Sequence, residues 1–209
     1  MSIFQLFKFL FLLQCILPFS VVANELLQQA MDGEPEAQYQ YAFIIGDSDA
    51  TKSRHLIEIA AFQNHLKSQQ YYLAHIADND FHAQLFKNNI KKYQTIFEKE
   101  FTKGDLNQLR KIGNDGDIET QYFLWLLYVN NLGVSKAEAY TWLKQAAGNL
   151  HPEATFNLGL LYYYGYIVPQ ELPKAKKLIL NSQALGSSLA RLLVENNKFN
   201  FEAQINEHD

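Results

Sequence analysis

Six histidines are the residues of this sequence with the clearest capacity to bind a metal ion. His55, His65 and His75 are spaced ten residues apart, which on one continuous helix would rotate successive side chains by about 280°. They would therefore not share a helix face. The sequence also lacks the His-x-x-x-His pair that chelates zinc on a helix, so we expect no metal site.

Two acidic segments superficially resemble calcium-binding loops. They read Asp78-Asn79-Asp80 and Asp115-Gly116-Asp117. Neither continues to the glycine and the bidentate glutamate that such a loop requires. We therefore expect the first segment to cap a helix and the second to form a turn between helices.

Motifs of nucleophilic catalysis and phosphate binding are absent from the sequence. It contains no Gly-x-Ser-x-Gly and no glycine-rich phosphate loop, and its single cysteine is Cys15. Ser187 and Ser188 follow Gly186 at a predicted helix start, where serine is a good capping residue. The sequence therefore predicts a protein that has no catalytic residues and binds no cofactor.

Length, composition and charge narrow the class of protein further. The 209 residues are 48% hydrophobic and 19% charged, and the formal net charge is −4. These values exclude a disordered chain, a collagen and a basic nucleic-acid-binding arm. A mildly acidic chain is not suited to binding polyanions, so we expect no nucleic-acid partner.

The first 23 residues have the pattern of a secretory signal peptide. An apolar stretch over Phe9–Leu17 follows Lys8 and ends at Pro18, and Val21-Val22-Ala23 offers a cleavage site after Ala23. The stretch is shorter than the roughly 20 apolar residues of a membrane span. We predict a cleaved signal peptide over residues 1–23 and a periplasmic or secreted mature protein. The alternative is a retained segment that anchors the protein in a membrane.

An internal repeat organises the rest of the chain. Residues 109–128 and 143–162 align without a gap at an offset of 34. A third copy starts at Gly33, and a truncated copy spans Leu185–Leu193. Identical residues occupy five aligned pairs: Leu109/Leu143, Glu119/Glu153, Leu124/Leu158, Leu127/Leu161 and Tyr128/Tyr162. Their apolar residues recur at helical spacing, so we predict helix–turn–helix units that bury apolar faces only by stacking.

The repeats predict one all-helical domain over residues 24–195. Within it, residues 79–108 form a degenerate repeat with one long helix over Phe81–Phe101, followed by a turn at residues 103–105 and a helix capped by Asp105. We expect Gly165 to end a helix. Residues 196–209 are predicted to be a polar tail.

Residues 154–186 resemble a Sel1-like repeat, which is a relative of the tetratricopeptide repeat. The residues that carry the resemblance are Ala154, Leu158, Gly159, Leu161, Tyr162, Gly165, Val168, Lys174, Ala175, Ala184 and Gly186. The copy at Thr120–Gly148 is similar, although Trp125 and Asn131 replace glycines of the pattern, and Ile167 replaces a common glycine in the later copy. The resemblance implies a right-handed α-solenoid of stacked helical hairpins that acts as a protein-binding scaffold.

The family's geometry also implies a binding face. Its first helices line the concave surface, which would place Tyr39, Tyr122 and Phe156 in one column and Tyr163 one turn further along. Beside that column would lie Glu36, Glu119 and Glu153. Exposed aromatic rings make good binding anchors. The alternative is that these rings pack between the repeats.

The predicted function is therefore an exported, non-catalytic scaffold or adaptor for a protein or peptide. Two alternatives stay open at this point. One is an enzyme such as a cell-wall or β-lactam hydrolase, which would need a reactive serine or a buried acid in a cleft. The other is a membrane-anchored structural subunit of an envelope complex. The sequence names neither the partner nor the oligomeric state.

Overall fold

The computed structural model describes residues 19–76, 81–97 and 102–195. In those ranges the chain forms eleven α-helices and no strand, which confirms the predicted all-helical class. The helices are α1 (Phe19–Met31), α2 (Pro35–Ile45), α3 (Ala50–Phe62), α4 (Leu66–His75), α5 (Phe81–Phe97), α6 (Lys103–Asn114), α7 (Ile118–Val129), α8 (Lys136–Gly148), α9 (Pro152–Tyr164), α10 (Leu172–Ala184) and α11 (Ser188–Glu195).

A residue with a left-handed backbone conformation stands just before the start of five helices. It precedes the first residue of α2, α4, α7, α9 and α11 by two positions, and its φ lies between +64° and +100°. The five residues are Gly33, Asn64, Gly116, Leu150 and Gly186. A left-handed residue lets a chain leave one helix and begin the next at a steep angle. The backbone conformation at this position is therefore the same at all five turns, although the residue is glycine at three of them, asparagine at one and leucine at one.

A second pair of turns confirms the offset of 34 residues. Asn131 and Gly165 both have a left-handed φ, of 59° and 73° respectively. Gly133 and Ile167 form the next equivalent pair, with φ values of 80° and 64°. Gly165 ends α9 as predicted. Asn131 and Ile167 thus adopt the backbone conformation that glycine would adopt more easily.

A buried glutamine ties consecutive helices together at three of these junctions. Gln38, Gln69 and Gln121 stand at the same position of α2, α4 and α7. The side-chain amide of each donates to the carbonyl eight residues earlier, in the preceding helix, at 3.3, 2.9 and 2.9 Å respectively. A buried amide needs such a partner, so the glutamine both satisfies its own group and fixes the angle of the hairpin.

Successive helices pack against each other as hairpins. Each helix from α1 to α4 packs on the next, and so does each from α6 to α10. Helix α9 crosses α10 closely at Gly159, where an added Cβ atom would lie 2.7 Å from Ile179 Cγ1. Only glycine permits this approach.

The stack departs from the prediction between α5 and α6. These helices do not pack closely on each other, and α5 instead contacts α11. Helix α5 ends at Phe97, and the last part of the predicted helix over Phe81–Phe101 lies outside the described residues. The predicted turn at residues 103–105 and the predicted cap at Asp105 were both wrong, because α6 already begins at Lys103. Thr102 is the N-cap and Asp105 completes a capping box, because the two side chains satisfy each other's backbone amides.

The chain therefore consists of two packed arrays, α1–α5 (the N-terminal array) and α6–α11 (the C-terminal array). One buried cluster contains Ala42, Ile57 and Phe86 from the first array together with Phe156 and Leu189 from the second. A separate cluster inside the C-terminal array centres on Trp125, which is fully buried. The shared core joins the last helices of the two arrays, since α11 lies against α5.

Within the ranges that the structure covers, every helix is too short or too polar to cross a bilayer. The predicted cleavage site after Ala23 falls inside α1. The part of α1 that would remain after cleavage contributes Leu26 and Ala30 to a small core with Ala37. Residues 1–18 of the predicted signal peptide and the predicted tail over residues 196–209 lie outside the described residues.

Candidate functional site

The structure places three of the seven residues of the predicted binding face in the interior. Tyr122, Phe156 and Tyr163 expose only 2%, 0% and 8% of their surface. The prediction that these three residues lie on an open face was wrong. Their rings pack between helices, which was the alternative. Tyr39 and Glu153 are half-buried, and the Glu119 side chain is 78% exposed.

Tyr122 is buried because the N-terminal array packs over it. Its hydroxyl oxygen accepts hydrogen bonds from the side-chain amides of Asn64 at 2.8 Å and Asn157 at 3.1 Å. Its ring also lies against His151, with a centroid distance of 4.3 Å. Burial raises the pKa of Tyr122 well above its ordinary value. Tyr122 is therefore a structural link between Asn64 of one array and Asn157 of the other.

A second polar link joins the arrays at Glu34. One oxygen of this carboxylate pairs with Lys136 Nζ at 2.6 Å, and the other accepts a short hydrogen bond from the Tyr128 hydroxyl. Nearby, the Asn130 side-chain oxygen accepts from the backbone amide of Leu66 at 2.8 Å. These contacts bring the C-terminal end of α7 and the start of α8 against the starts of α2 and α4 in the N-terminal array. The face of α7 and α9 that was expected to receive a partner is covered in part by this chain itself.

Glu36 belongs to a different environment from the other two predicted glutamates. It accepts hydrogen bonds from His65 Nε2 at 3.0 Å, Lys67 Nζ at 3.0 Å and Gln40 Nε2 at 2.8 Å. Burial alone would raise the pKa of Glu36, but these donors outweigh it and lower the pKa to about 2. Burial in turn lowers the pKa of His65. The pair therefore consists of an ionised carboxylate and a neutral imidazole at neutral pH.

His65 also contacts Ser68, so that Ser68, His65 and Glu36 form a chain of the types used in serine hydrolases. The Nδ1 atom of His65 lies 2.8 Å from Ser68 Oγ. However, Ser68 is 0% exposed, and His65 is the N-cap of α4. His151 stands at the same position of α9, where its Nδ1 accepts from the Ala154 amide. His65 and Ser68 thus belong to the start of a helix. Because Ser68 is buried, a substrate does not reach it in this structure.

A half-exposed group of rings lies on α2 and α4. Tyr39 and Phe43 stand one turn apart on α2, and Tyr71 and His75 stand one turn apart on α4. The Phe43 ring meets Tyr39 at 4.9 Å and Tyr71 at 5.0 Å, both edge to face, and Tyr71 stacks on His75 at 4.2 Å. We call these four residues the aromatic surface. Glu36 and Lys67 lie on the same two helices and carry opposite charges beside it.

A cleft of about 240 Å³ opens between α5 and α7. Tyr93, Tyr122, Phe123 and Leu126 contribute its apolar lining, and Lys92 and Glu119 contribute charges. We call it the α5–α7 cleft. It contains two of the predicted site residues, Tyr122 and Glu119, although Tyr122 exposes little surface there.

Among the residues that the structure describes, no group of three or more His, Cys, Asp or Glu side chains has the geometry to hold a metal ion. Asp115 lies outside any such group and caps α6, and the Asp117 side chain accepts from the Thr120 amide at 2.7 Å at the start of α7. The segment of residues 78–80 lies outside the described ranges.

Sequence reasoning missed Phe43, Tyr71 and Lys92. The first two carry a signal that was available, because aromatic residues stand four apart in each of two neighbouring helices, at Tyr39/Phe43 and Tyr71/His75. No such signal exists for Lys92. Its position opposite α7 follows from how the two arrays meet.

Comparisons with known proteins found little sequence similarity. No protein-family model and no curated protein matches the chain. Among solved structures, the chain is similar to a Sel1 repeat protein from Oxalobacter formigenes, with 18% sequence identity and a TM-score of 0.41. The similarity covers 83% of this chain and 48% of the other, so this chain spans about half the length of that protein. In the ranges that the structure describes, the chain consists of α-helices that pack as successive hairpins.

Proposed function

We propose that this protein is an exported, non-catalytic scaffold that binds a protein or peptide through the aromatic surface. The observation that supports the proposal is that Tyr39, Phe43, Tyr71 and His75 gather on α2 and α4 without being fully buried. Protein interfaces are enriched in such rings, because they supply a large contact area with few rotatable bonds.

The surroundings of the aromatic surface also suit a protein partner. The ion pair of Glu36 and Lys67 beside the rings leaves the Lys67 side chain 59% exposed. An apolar centre with a polar rim is the usual composition of a binding site for another protein. Ser68 is fully buried, so the chain of Ser68, His65 and Glu36 does not favour the hydrolase alternative.

Replacing Tyr39 and Tyr71 together by alanine is expected to abolish partner capture while the fold persists. Truncating an aromatic hot spot costs about 2 kcal/mol or more, so the loss of two should weaken binding by about a thousandfold. The measurement is crosslinking and affinity capture from the cell envelope, followed by mass spectrometry and direct titration of the captured protein. Circular dichroism reports the fold.

The matched control is Tyr140→Ala, which removes a half-buried tyrosine from the C-terminal array. It should capture the same partner as the unmodified protein. If the Tyr39/Tyr71 double variant captures equally well, the aromatic surface is not the binding site. If it unfolds, the rings belong to the core and the assignment is equally wrong.

Export is tested separately by N-terminal sequencing of the protein recovered from its own cells. We expect the mature chain to begin at Asn24, because the predicted signal peptide ends at Ala23. A chain that keeps the first 23 residues and sediments with membranes would instead favour the membrane-anchored alternative.

A further inference from the structure

Leu150 combines a strained backbone with an exposed apolar side chain. It stands in the turn between α8 and α9 with a φ of 64°, and 58% of its surface is exposed. A left-handed conformation is unfavourable for a bulky residue, and glycine or asparagine stands at the four equivalent turn positions. Contact of a leucine side chain with water is unfavourable as well. Leucine at this turn therefore costs stability in two ways.

Ile167 shows how the fold offsets the same backbone strain elsewhere. Its φ is also 64°, but its side chain is half-buried and packs against the buried cluster around Trp125. That burial offsets the cost of the backbone conformation. Among the described residues, Leu150 belongs neither to a buried cluster nor to the apolar residues that pack against one. A contact that offsets its cost has to come from outside the described part of the chain.

A polar groove of about 450 Å³ begins at the residue before Leu150. It lies between the C-terminal ends of α6 and α8, and we call it the α6–α8 groove. Gln121 bridges the two helix ends. Its side chain donates to the Gly113 carbonyl at 2.9 Å and accepts from the Asn149 side-chain amide at 3.4 Å. The groove and the exposed Leu150 therefore form one continuous surface.

The α6–α8 groove offers hydrogen-bonding groups that the described chain leaves free. The exposed carboxamides of Asn114 and Gln145 line it, and neither is engaged by another described side chain or backbone group. The Gly148 carbonyl lacks its helical partner, because the residue four positions on is Pro152, which has no N–H. A carboxamide both donates and accepts, as a peptide unit does. The groove is therefore complementary to the main chain of an extended peptide.

Lys144 gives the α6–α8 groove its charge. It is the one charged side chain among the lining residues, all of which the structure describes. Its ammonium lies 4.5 Å from the centre of the Tyr140 ring, and no described carboxylate forms an ion pair with it. An ammonium has three donors, so a contact with one ring leaves it able to bind an anion. The net charge of +1 on the lining is complementary to a carboxylate.

We infer that Leu150 and the α6–α8 groove bind an extended segment of a protein partner that carries a carboxylate between aliphatic side chains. The carboxamides bond its main chain, Lys144 pairs with the carboxylate, and an aliphatic side chain covers Leu150. A saccharide would bond to the carboxamides but has no aliphatic side chain to cover Leu150. The site lies on other helices than the aromatic surface and does not depend on the proposed function.

Leu150→Asn separates a binding role from a structural one. It introduces the residue that stands at the equivalent turn position 64, and asparagine adopts a left-handed conformation more readily than leucine. The midpoint of thermal unfolding should therefore stay unchanged or rise by about 2–4 °C. Leu180→Asn is the matched control, because Leu180 is an exposed leucine on α10. It should lower the midpoint slightly, since asparagine is a poorer helix former.

Binding is measured by NMR titration of the purified protein with Nα-acetyl-Ala-Leu-Asp-Leu-Ala-amide. We expect the backbone amide signals of Gln121, Gln145 and Gly148 to shift together with one dissociation constant. That constant should increase with salt concentration, because the ion pair is exposed to solvent. The same peptide with asparagine in place of aspartate should bind about threefold more weakly. A peptide with a methylated main-chain nitrogen at the aspartate should also bind more weakly, because it lacks that donor.

Four variants locate the peptide on the surface. Leu150→Asn should weaken binding by about fivefold. Lys144→Gln should weaken binding of the aspartate peptide by about threefold and leave binding of the asparagine peptide unchanged. Leu180→Asn should leave both affinities unchanged. The Tyr39/Tyr71 double alanine variant should also bind the peptide normally, which distinguishes this site from the aromatic surface.

Several results would overturn the inference. They are an absence of shifts, shifts that map outside the groove, and equal affinity of the Leu150→Asn variant. A clear loss of thermal stability in Leu150→Asn would show that the leucine has a structural role instead. Sedimentation equilibrium tests the remaining occupant: dimerisation that Leu150→Asn abolishes would identify a second copy of this chain and contradict the peptide site.

Discussion

Replacing Phe156 by alanine is expected to destabilise the protein by about 3–5 kcal/mol, the range found for large-to-small changes of fully buried aromatic residues. Phe156 exposes 0% of its surface and belongs to the buried cluster that contains residues of both arrays. Alanine would leave a cavity at this shared core. Urea unfolding followed by circular dichroism measures the loss as a lower midpoint with a similar slope.

Tyr39→Ala is the comparison for Phe156→Ala. Tyr39 is half-buried on α2, so its loss should cost about 1 kcal/mol. The original expectation from the sequence placed both rings on one exposed column, in which case the two variants would have similar and small effects. Equal midpoints for both variants would restore that expectation and contradict the structure.

Replacing Gly33 by alanine is expected to have the second large effect, about 3 kcal/mol of lost stability. Gly33 has a φ of 82°, where an alanine costs about 1 kcal/mol. In addition, a Cβ atom at this position would overlap the Cβ and Cγ atoms of Tyr166, which belongs to the C-terminal array. Overpacking of this kind adds about 1–3 kcal/mol. Thermal and urea unfolding measure the sum.

Gly116→Ala is the matched control, because the repeat places Gly116 at the same turn position. Its φ is 98°, but nothing lies within 4 Å of the Cβ atom that alanine would add. Only the backbone cost of about 1 kcal/mol should therefore appear. The difference of about 2 kcal/mol between the variants measures the contact of the two arrays at Tyr166. Identical losses would show that the arrays do not meet there.

Tyr166→Ala combined with Gly33→Ala extends the comparison. If the ring of Tyr166 causes the extra cost at Gly33, removing the ring should make Gly33→Ala cost as little as Gly116→Ala. The Tyr166 ring also stacks on Tyr164 at 5.2 Å, so the Tyr166→Ala variant has its own cost. The double-mutant cycle separates that cost from the coupling to Gly33.

Much of the fold was predictable because helix boundaries depend on local chemistry. Gly33, Gly116 and Gly186 mark turns that need a left-handed residue, and Pro35 and Pro152 stand in first helical turns, where proline is well tolerated. The aligned leucines and tyrosines gave the repeat and its offset. Thr102 was missed as a cap because Asp105 offers an equally good capping side chain, and only the two together form the capping box.

The binding face was not predictable because it depends on contacts between distant segments. In an open array, the first helices of the repeats would present Tyr122 and Phe156 on one surface. Here Asn64 reaches Tyr122 across 58 residues of sequence and Leu66 reaches Asn130 across 64. The first of these contacts accompanies the burial of Tyr122, and the cluster shared by the two arrays buries Phe156. Tyr39 stays half-exposed because α2 belongs to the N-terminal array, which packs over Tyr122 of the C-terminal array.

The sequence by itself determined the helices, the turns between them and the repeat of 34 residues, since each of these follows from residues within a few positions of one another. Only the tertiary structure decided that α5 leaves the stack to contact α11, that Tyr122 and Phe156 are buried, and that Lys92 and Glu119 line one cleft. The physical reason is that every repeat carries an apolar face. Which other repeat covers that face depends on the whole arrangement of the chain and not on any local pattern.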